Sequence, residues 1–211
     1  MKPTERISFC SHLSGALLFV PGTVLLLFLS RQEWPLMTVS AIYGLSVIFL
    51  FTSSSLYHYF KKQEGEVSMW RKLDHFAIFV MIAGTYTPVT YVYLSGMLRT
   101  GILIFQWSLV LAGFFFKFFY LKAPRWVYTT IYLLMGWSAL FTIRPLFSAM
   151  SGHAFFLLIA GGLSFTTGAV FYMAKKPVFS PGFGFHEIFH FFILAGGLFH
   201  YFLVMLTVVK Q

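Results

Sequence analysis

The sequence predicts an all-α protein, a seven-transmembrane helix bundle with its amino terminus in the cytoplasm and its carboxyl terminus outside. Three observations support this prediction. Hydrophobic residues make up 58% of the 211 positions and charged residues only 10%, which is more apolar surface than a soluble core of this size could bury. Apolar stretches alternate with short charged or turn-forming segments. Lys and Arg are concentrated in every second one of these segments.

Most of the apolar stretches meet or approach the roughly 20 residues that a helix needs to cross the hydrocarbon layer. The seven predicted spans are Ile7–Ser30, Leu36–Phe60, Leu73–Leu94, Gly101–Phe116, Trp126–Ile143, Ala154–Ala174 and Phe185–Val209. Lys117 interrupts the fourth, and we expect its side chain to extend outward to the interface. The first is longer than the apolar region of a signal peptide and is counted as a span. Residues 1–211 are therefore predicted to form one integral membrane domain.

The orientation follows from the basic residues, because cytoplasmic loops carry an excess of Lys and Arg. Of the 15 basic residues, 11 lie on the side of the amino terminus and 4 on the other side. The first group is Lys2, Arg6, Lys61, Lys62, Arg71, Lys72, Lys117, Lys122, Arg125, Lys175 and Lys176, and the second is Arg31, Arg99, Arg144 and Lys210. The net charge of +9 follows from this topology and does not indicate a nucleic-acid partner.

Three histidines and one aspartate are predicted to lie at the same depth. His186 and His190 are four residues apart at the start of the seventh stretch, so one helix face presents both. In the predicted topology the second stretch ends, and the third and seventh begin, on the cytoplasmic side, which brings His58 and Asp74 to that level. Three imidazoles and a carboxylate at one depth are the groups expected around tetrahedral zinc that has one open or water-filled position. The single cysteine, Cys10, excludes a thiolate zinc cage.

Two further polar residues are predicted to lie close to this site. Ser54 is one turn before His58 on the same helix face and could donate its hydroxyl to the site. A run of serines is also typical of close helix packing, so both interpretations of Ser54 stay open on spacing alone. His75 points about 100° away from Asp74 on an ideal helix, and we expect it to support the site from outside.

The remaining polar residues of the spans have simpler interpretations. Glu187 projects away from the histidine pair and is expected to form an ion pair with a lysine or arginine at the interface. An isolated histidine within a membrane is most often a hydrogen-bond partner between helices, and this is the expectation for His153 and His200. Neither lies at the depth that the other histidines share.

Four segments carry a resemblance to a known family. They are SSLYH (Ser54–His58), KLDH (Lys72–His75), GTYTP (Gly84–Pro88) and HEIFH (His186–His190). In this order they resemble the motifs of the hemolysin III proteins, the bacterial branch of the progestin and adipoQ receptor family. Glu5 with His12 also resembles that family's opening segment. The resemblance covers essentially the whole chain and implies a multi-pass protein of the bacterial plasma membrane.

The resemblance also implies a function. The wider superfamily includes adiponectin receptors and alkaline ceramidases, which implies a zinc ion on the cytoplasmic side held by His58, His186 and His190. By the same resemblance Asp74 holds a water molecule at the zinc, and Ser54 supports the site. The expected activity is hydrolysis of a lipid amide or ester in membrane-lipid homeostasis, with membrane lipids as substrate or ligand.

Other classes of function stay open at this point. A receptor or membrane-state sensor would use the zinc as a structural element. A proton- or cation-coupled transporter would use Asp74 and the histidines as a relay, which is disfavoured because these groups all lie on one side of the bilayer. Bis-histidine haem is disfavoured because it requires ligands on opposing helices. Nothing in the sequence is typical of a pore-forming protein.

Overall fold

The computed structural model of the protein describes residues 1–63, 65–119 and 124–209. Within these residues, seven helical segments are long and apolar enough to cross a membrane, which confirms the predicted all-α bundle. They are Pro3–Leu29, Trp34–Phe60, Met69–Tyr93, Gly96–Phe119, Trp126–Ala149, Gly152–Ala174 and Phe185–Val209. The orientation of the termini stays a prediction. Two of the basic residues used for it, Lys122 and Lys210, lie outside the described residues.

The helices follow one another with short connections. A 3-10 helix (Pro3–Glu5) leads into α1 (Arg6–Leu29), and α2 (Trp34–Phe60), α3 (Met69–Tyr93), α4 (Gly96–Phe119), α5 (Arg125–Trp137), α6 (Ile143–Ala149) and α7 (Gly152–Ala174) follow. A small antiparallel hairpin of β1 (Val178–Ser180) and β2 (Phe183–Gly184) then leads into α8 (Phe185–Val209). Serine hydroxyls cap two of these helices: Ser68 accepts from the backbone N–H of Arg71 at α3, and Ser151 accepts from that of Ala154 at α7.

The fifth span changes helix type partway along its length. α5 passes through a 3-10 turn (Ser138–Thr142) into α6, so that the span ends at Ala149 and not at the predicted Ile143. Pro145 lies in the first turn of α6 and has no N–H to donate to the preceding turn. A short 3-10 segment is a common way of joining two helical pieces under such a constraint.

The fourth span contradicts the expectation for Lys117. It runs from Gly96 to Phe119 without interruption, so the predicted range Gly101–Phe116 was too short. Lys117 is 1% exposed and does not extend outward; its Nζ lies 3.7 Å from the centroid of the Tyr128 ring on α5. An aromatic face attracts an ammonium group, and this contact gives Lys117 a partner inside the bundle.

Helix α8 is the element against which much of the bundle packs. It contacts α1, α2, α3 and α7. Large buried side chains fill the space between α1, α2 and α8, namely Phe19, Tyr43, Phe51 and Tyr201. On the other side, Gly161 of α7 lies directly against the His200 ring of α8. This packing brings the end of α2 and the start of α3 and α8 to the same end of the bundle as the start of α1.

Candidate metal centre

Three histidine side chains converge where α2 ends and α8 begins. The ligand atoms of His58, His186 and His190 all lie within 4.8 Å of one another. The Nε2 atoms of His58 and His186 are 3.4 Å apart. Two nitrogen ligands at about 2.0–2.1 Å from a tetrahedral ion would be about 3.3–3.4 Å apart. The three residues are therefore positioned to hold a metal ion, as predicted from their spacing and topology.

Contacts to the second ring nitrogen orient two of these histidines. Oε2 of Glu5 lies 2.7 Å from Nδ1 of His58, and Oε1 of the same carboxylate accepts from Nζ of Lys61 at 2.8 Å. Nδ1 of His190 lies 3.5 Å from the hydroxyl oxygen of Ser11. A proton held on Nδ1 by such a partner leaves Nε2 with its lone pair available to a metal ion.

The contacts of Glu5 and His12 with the histidine cluster were not predicted. The His12 ring stacks on the His190 ring, with centroids 3.7 Å apart and planes inclined by 12°. His12 is buried, and neither of its ring nitrogens has a hydrogen-bond partner among the described residues. Two features of the sequence could have indicated these contacts. The predicted topology places His12 on the cytoplasmic side, and Glu5 and His12 both match the opening segment of the family.

Asp74 and Ser54 lie at the edge of the histidine cluster. Asp74 is on the wall of a cavity that His186 and His190 also line, and within the described part of the chain it is not one of the residues whose ligand atoms group within 4.8 Å. Ser54 is 2% exposed, and its hydroxyl is close enough to the Asp74 carboxylate to interact with it. The structure thus brings all five sequence-predicted site residues to one end of the bundle.

Glu187 differs from its expected position. Its carboxylate is buried at the start of α8 and accepts a hydrogen bond from the Ser8 hydroxyl at 2.9 Å and from the Gly184 backbone N–H at 2.9 Å. The expected ion pair with a lysine or arginine is therefore wrong for the described residues. The reason is the packing of α1 against the start of α8, which places the neutral Ser8 hydroxyl, and not a basic side chain, next to the carboxylate.

The other three histidines lie outside the cluster. The His75 ring packs against Tyr128 of α5, with centroids 5.1 Å apart. His200 donates from Nε2 to the Leu158 carbonyl of α7 at 3.3 Å, which confirms its expected role as an interhelical partner. His153 is exposed in the first turn of α7. The expectation that it forms a buried hydrogen bond between helices is therefore wrong.

A cavity of about 750 Å³ extends from the histidines into the bundle between α3, α5, α7 and α8. Near the histidines it is lined by Asp74, Arg71 and the hairpin. Farther along, its walls are mostly apolar, and Leu146 and His200 lie among its lining residues. The volume lies within the range typical of small-molecule ligand sites.

One side of this cavity is exposed to the outside of the bundle. Four lining residues from the fifth span and α7, Trp137, Leu140, Ile159 and Leu163, are between 39% and 53% exposed. Only apolar groups are stable in contact with lipid chains, and these four are apolar. The cavity is therefore bordered on this side by side chains that also present apolar surface to the outside of the bundle.

Fold and site together define a multi-pass integral membrane protein with three histidines at one end of its bundle that are positioned to hold a metal ion. The family model described as Haemolysin-III related matches residues 1–201, and the chain belongs to this family. It is 36% identical over 209 residues to the Hemolysin-3 homolog of Bacillus subtilis (strain 168), covering 98% of this chain and 95% of that protein. It is 34% identical over 207 residues to Hemolysin-3 of Bacillus cereus, covering 97% and 92%.

A more distant relative is the human Monocyte to macrophage differentiation factor. It is 26% identical over 210 residues, which cover 96% of this chain and 85% of the human protein. These matches confirm the family resemblance found in the motifs. The seven apolar helices and the two Bacillus relatives support the predicted location, an integral membrane protein of the bacterial plasma membrane.

Proposed function

We propose that the protein is a zinc-dependent hydrolase of lipid amides or esters that acts in membrane-lipid homeostasis, with membrane lipids as its substrates. One observation carries this proposal: a three-histidine cluster lies at the end of a largely apolar cavity, with Asp74 on the cavity wall. A metal ion with water at one side and a lipid chain at the other is the arrangement that lipid hydrolysis requires.

Zinc suits the ligand set better than magnesium or calcium does. Three imidazole nitrogens leave one of four tetrahedral positions open, which is typical of catalytic zinc, whereas magnesium and calcium prefer oxygen ligands. A bound zinc ion would supply Lewis acidity and lower the pKa of a coordinated water molecule toward about 7.

Asp74 and Ser54 would carry the proton chemistry. Asp74 is assigned as the general base, which would hold the attacking water and take its proton, because it lines the same cavity as His186 and His190 but is not part of their close group. Ser54 is assigned to orient that carboxylate, with which its buried hydroxyl can interact. The lipid carbonyl would approach from the cavity side.

The cavity is suited to a hydrocarbon chain. His190 and His200 both line it, and their separation of ten positions corresponds to ~15 Å along α8. A chain of that length would extend from the metal centre toward the opposite side of the membrane. The exposed apolar wall between α5 and α7 would let it enter from the bilayer.

A membrane-state sensor with a structural metal is the second candidate. The observation that favours it is the position of the ligands on two helices: His58 ends α2, while His186 and His190 begin α8. Glu5, which precedes α1, contacts His58 and so links it to that segment. A bound ion would therefore hold three parts of the chain together even if no reaction took place.

The metal is tested by elemental analysis of the full-length protein purified in detergent. We expect about one zinc per chain, because the three histidines form one tetrahedral site. The double substitution His186→Ala with His190→Ala should remove it, whereas His153→Ala, which changes an exposed histidine, should not. Full zinc retention by the double variant would reject the assigned ligands.

The reaction is tested with Asp74→Asn and a panel of lipid amides and esters, with the protein zinc-loaded or chelated. Asparagine has nearly the same shape, so zinc content and thermal stability should be retained. Turnover should fall about 10²–10⁴-fold, the usual contribution of a general base. Unchanged hydrolysis in the variant would reject the role of Asp74. A parent protein that binds zinc but hydrolyses nothing in the panel would favour the sensor.

A further inference from the structure

Arg71 occupies the end of the cavity next to the metal centre. It lies in the first turn of α3, three residues before Asp74, so both side chains project from one face of the helix. It is half-buried and is one of the residues that line the cavity. Its charge acts on the Asp74 carboxylate, although the two do not form an ion pair.

The guanidinium group of Arg71 is held by a neutral partner. Its Nη1 donates to the backbone carbonyl of Glu66 at 2.9 Å. The carboxylate of Glu66 is directed elsewhere and accepts from the backbone N–H groups of Lys62 and Gln63 at 3.0 and 3.4 Å. In the part of the chain that the structure describes, Arg71 has no carboxylate within ion-pair distance.

The neighbouring cations are already compensated. Lys61 also lines the cavity, but its Nζ is paired with Glu5 at 2.8 Å. Lys117 is buried against the Tyr128 ring. Of these cations, Arg71 alone combines a place on the cavity wall with the lack of an ion pair to any described carboxylate, although its charge also acts on Asp74. A guanidinium in this situation is suited to bind an oxyanion, because its planar fork matches phosphate and carboxylate oxygens.

We propose that Arg71 binds the phosphate head group of the lipid that occupies the cavity. This inference rests on the proposed function for the position of the lipid chain, and it narrows the substrate class to acyl esters of glycerol phosphate. In such lipids the ester carbonyl lies only a few bonds from the phosphate. Arg71 and Asp74 are separated by one helical turn, with about 5–6 Å between their Cβ atoms, which is a comparable distance.

The test measures binding and needs no turnover. The full-length protein is titrated in a neutral sugar detergent with radiolabelled dodecyl phosphate and with dodecanol, and empty micelles supply the background. Arg71→Gln should weaken dodecyl phosphate binding about tenfold to a hundredfold, the usual loss for a hydrogen bond to a charged group, and leave dodecanol binding unchanged. Arg71→Lys keeps the charge but loses the fork, so it should weaken phosphate binding by a smaller factor.

Lys72→Gln is the matched control. Lys72 is the next cation along the chain, but its Nζ donates to the Phe118 carbonyl and it is not among the cavity-lining residues. Its replacement should leave both affinities unchanged. An equal loss in Lys72→Gln would mean a general charge effect, and an equal loss of dodecanol binding in Arg71→Gln would mean a packing role; either result overturns the proposal.

Inorganic phosphate separates a lipid head group from a free anion. We expect it to compete with dodecyl phosphate only weakly, since it gains nothing from the apolar cavity. Competition by inorganic phosphate at the same concentration as dodecyl phosphate would assign the site to a free anion and overturn the head-group assignment. A failure to find hydrolysis counts against the proposed function alone, because these binding results decide the role of Arg71 separately.

Discussion

Glu5 shows how one carboxylate can orient a histidine that is positioned to hold a metal ion. It contacts Nδ1 of His58 with one oxygen and Nζ of Lys61 with the other, and its side chain is buried. A carboxylate behind a histidine fixes the ring orientation and raises the basicity of the nitrogen that faces the metal. The lysine balances the charge that remains, so the group is stable away from water.

Substitution of Glu5 should therefore weaken metal binding without removing a ligand. We expect Glu5→Gln to lower zinc affinity about 10–100-fold, the usual effect of losing such an outer carboxylate. The measurement is a competition titration against a chromogenic chelator. Glu33→Gln, which changes an exposed glutamate before α2, is the control and should bind zinc as the parent does. An affinity for Glu5→Gln equal to that of the parent would show that the carboxylate does not tune His58.

The site residues differ in how readily the sequence reveals them. His186 and His190 follow from helix periodicity, and His58 and Asp74 follow from the alternation of spans. Glu5 does not, because its contact with His58 joins positions 53 residues apart through a side-chain geometry that no periodicity encodes. Its match to the family's opening segment gave its position but not its contact.

The contact between α7 and α8 depends on a residue without a side chain. A Cβ atom placed at Gly161 would overlap the His200 ring, whereas one at the adjacent Gly162 would meet nothing within 4 Å. Small residues at helix interfaces let membrane helices approach closely. Here the His200 imidazole fills the space beside Gly161 and also donates a hydrogen bond to the Leu158 carbonyl. The two helices therefore fit together at one defined position.

Adding one methyl group at Gly161 should separate the helices. Gly161→Ala is expected to destabilise the protein by about 1–3 kcal/mol, the usual cost of overpacking a core. Gly162→Ala, with the same change of residue one position along, should not destabilise the protein, because a Cβ atom there meets nothing within 4 Å and alanine is the better helix former. Thermal unfolding in one detergent compares the two variants. Equal melting temperatures would mean that the packing at Gly161 is not tight.

The elements were predictable where hydropathy alone determines them. The length of the apolar stretches located all seven spans, and most of the predicted ends lie within a few residues of the observed ones. It failed where a local interaction overrides the average: Lys117 is retained inside by an aromatic ring, and the 3-10 turn at Ser138–Thr142 carries the fifth span past Ile143. Neither interaction is visible in hydropathy, because both depend on a neighbour that is brought close by the fold.

At the scale of the whole molecule, an odd number of spans requires the two ends of the chain to lie on opposite sides of the membrane. The three-histidine cluster lies at the end of the bundle where α1 starts and where α2 and α3 are joined. The excess of basic residues predicts that this end faces the cytoplasm. Water and any soluble product would then exchange with the cytoplasm, while lipid would exchange with the bilayer.

Reporter fusions test this orientation. A reporter that is active only outside the cytoplasm should be active when fused after Gln211, because 11 of the 15 basic residues lie on the side of the amino terminus. The same reporter fused after Lys176, in the connection before α8, is the control and should be inactive. Activity at Lys176 and none at Gln211 would invert the bundle and place the metal centre at the outer surface.

The hydrogen bond between Ser8 and Glu187 joins positions 179 residues apart and therefore has a consequence for biosynthesis. Ser8, Glu5 and His58 are translated and inserted long before α8 exists. Two of the three imidazoles of the cluster arrive only with α8, so a chain interrupted after α7 would carry only one of the three candidate ligands. If the cluster binds a metal ion, loading would follow the insertion of α8, and a loaded molecule would be one whose seven helices have all entered the bilayer.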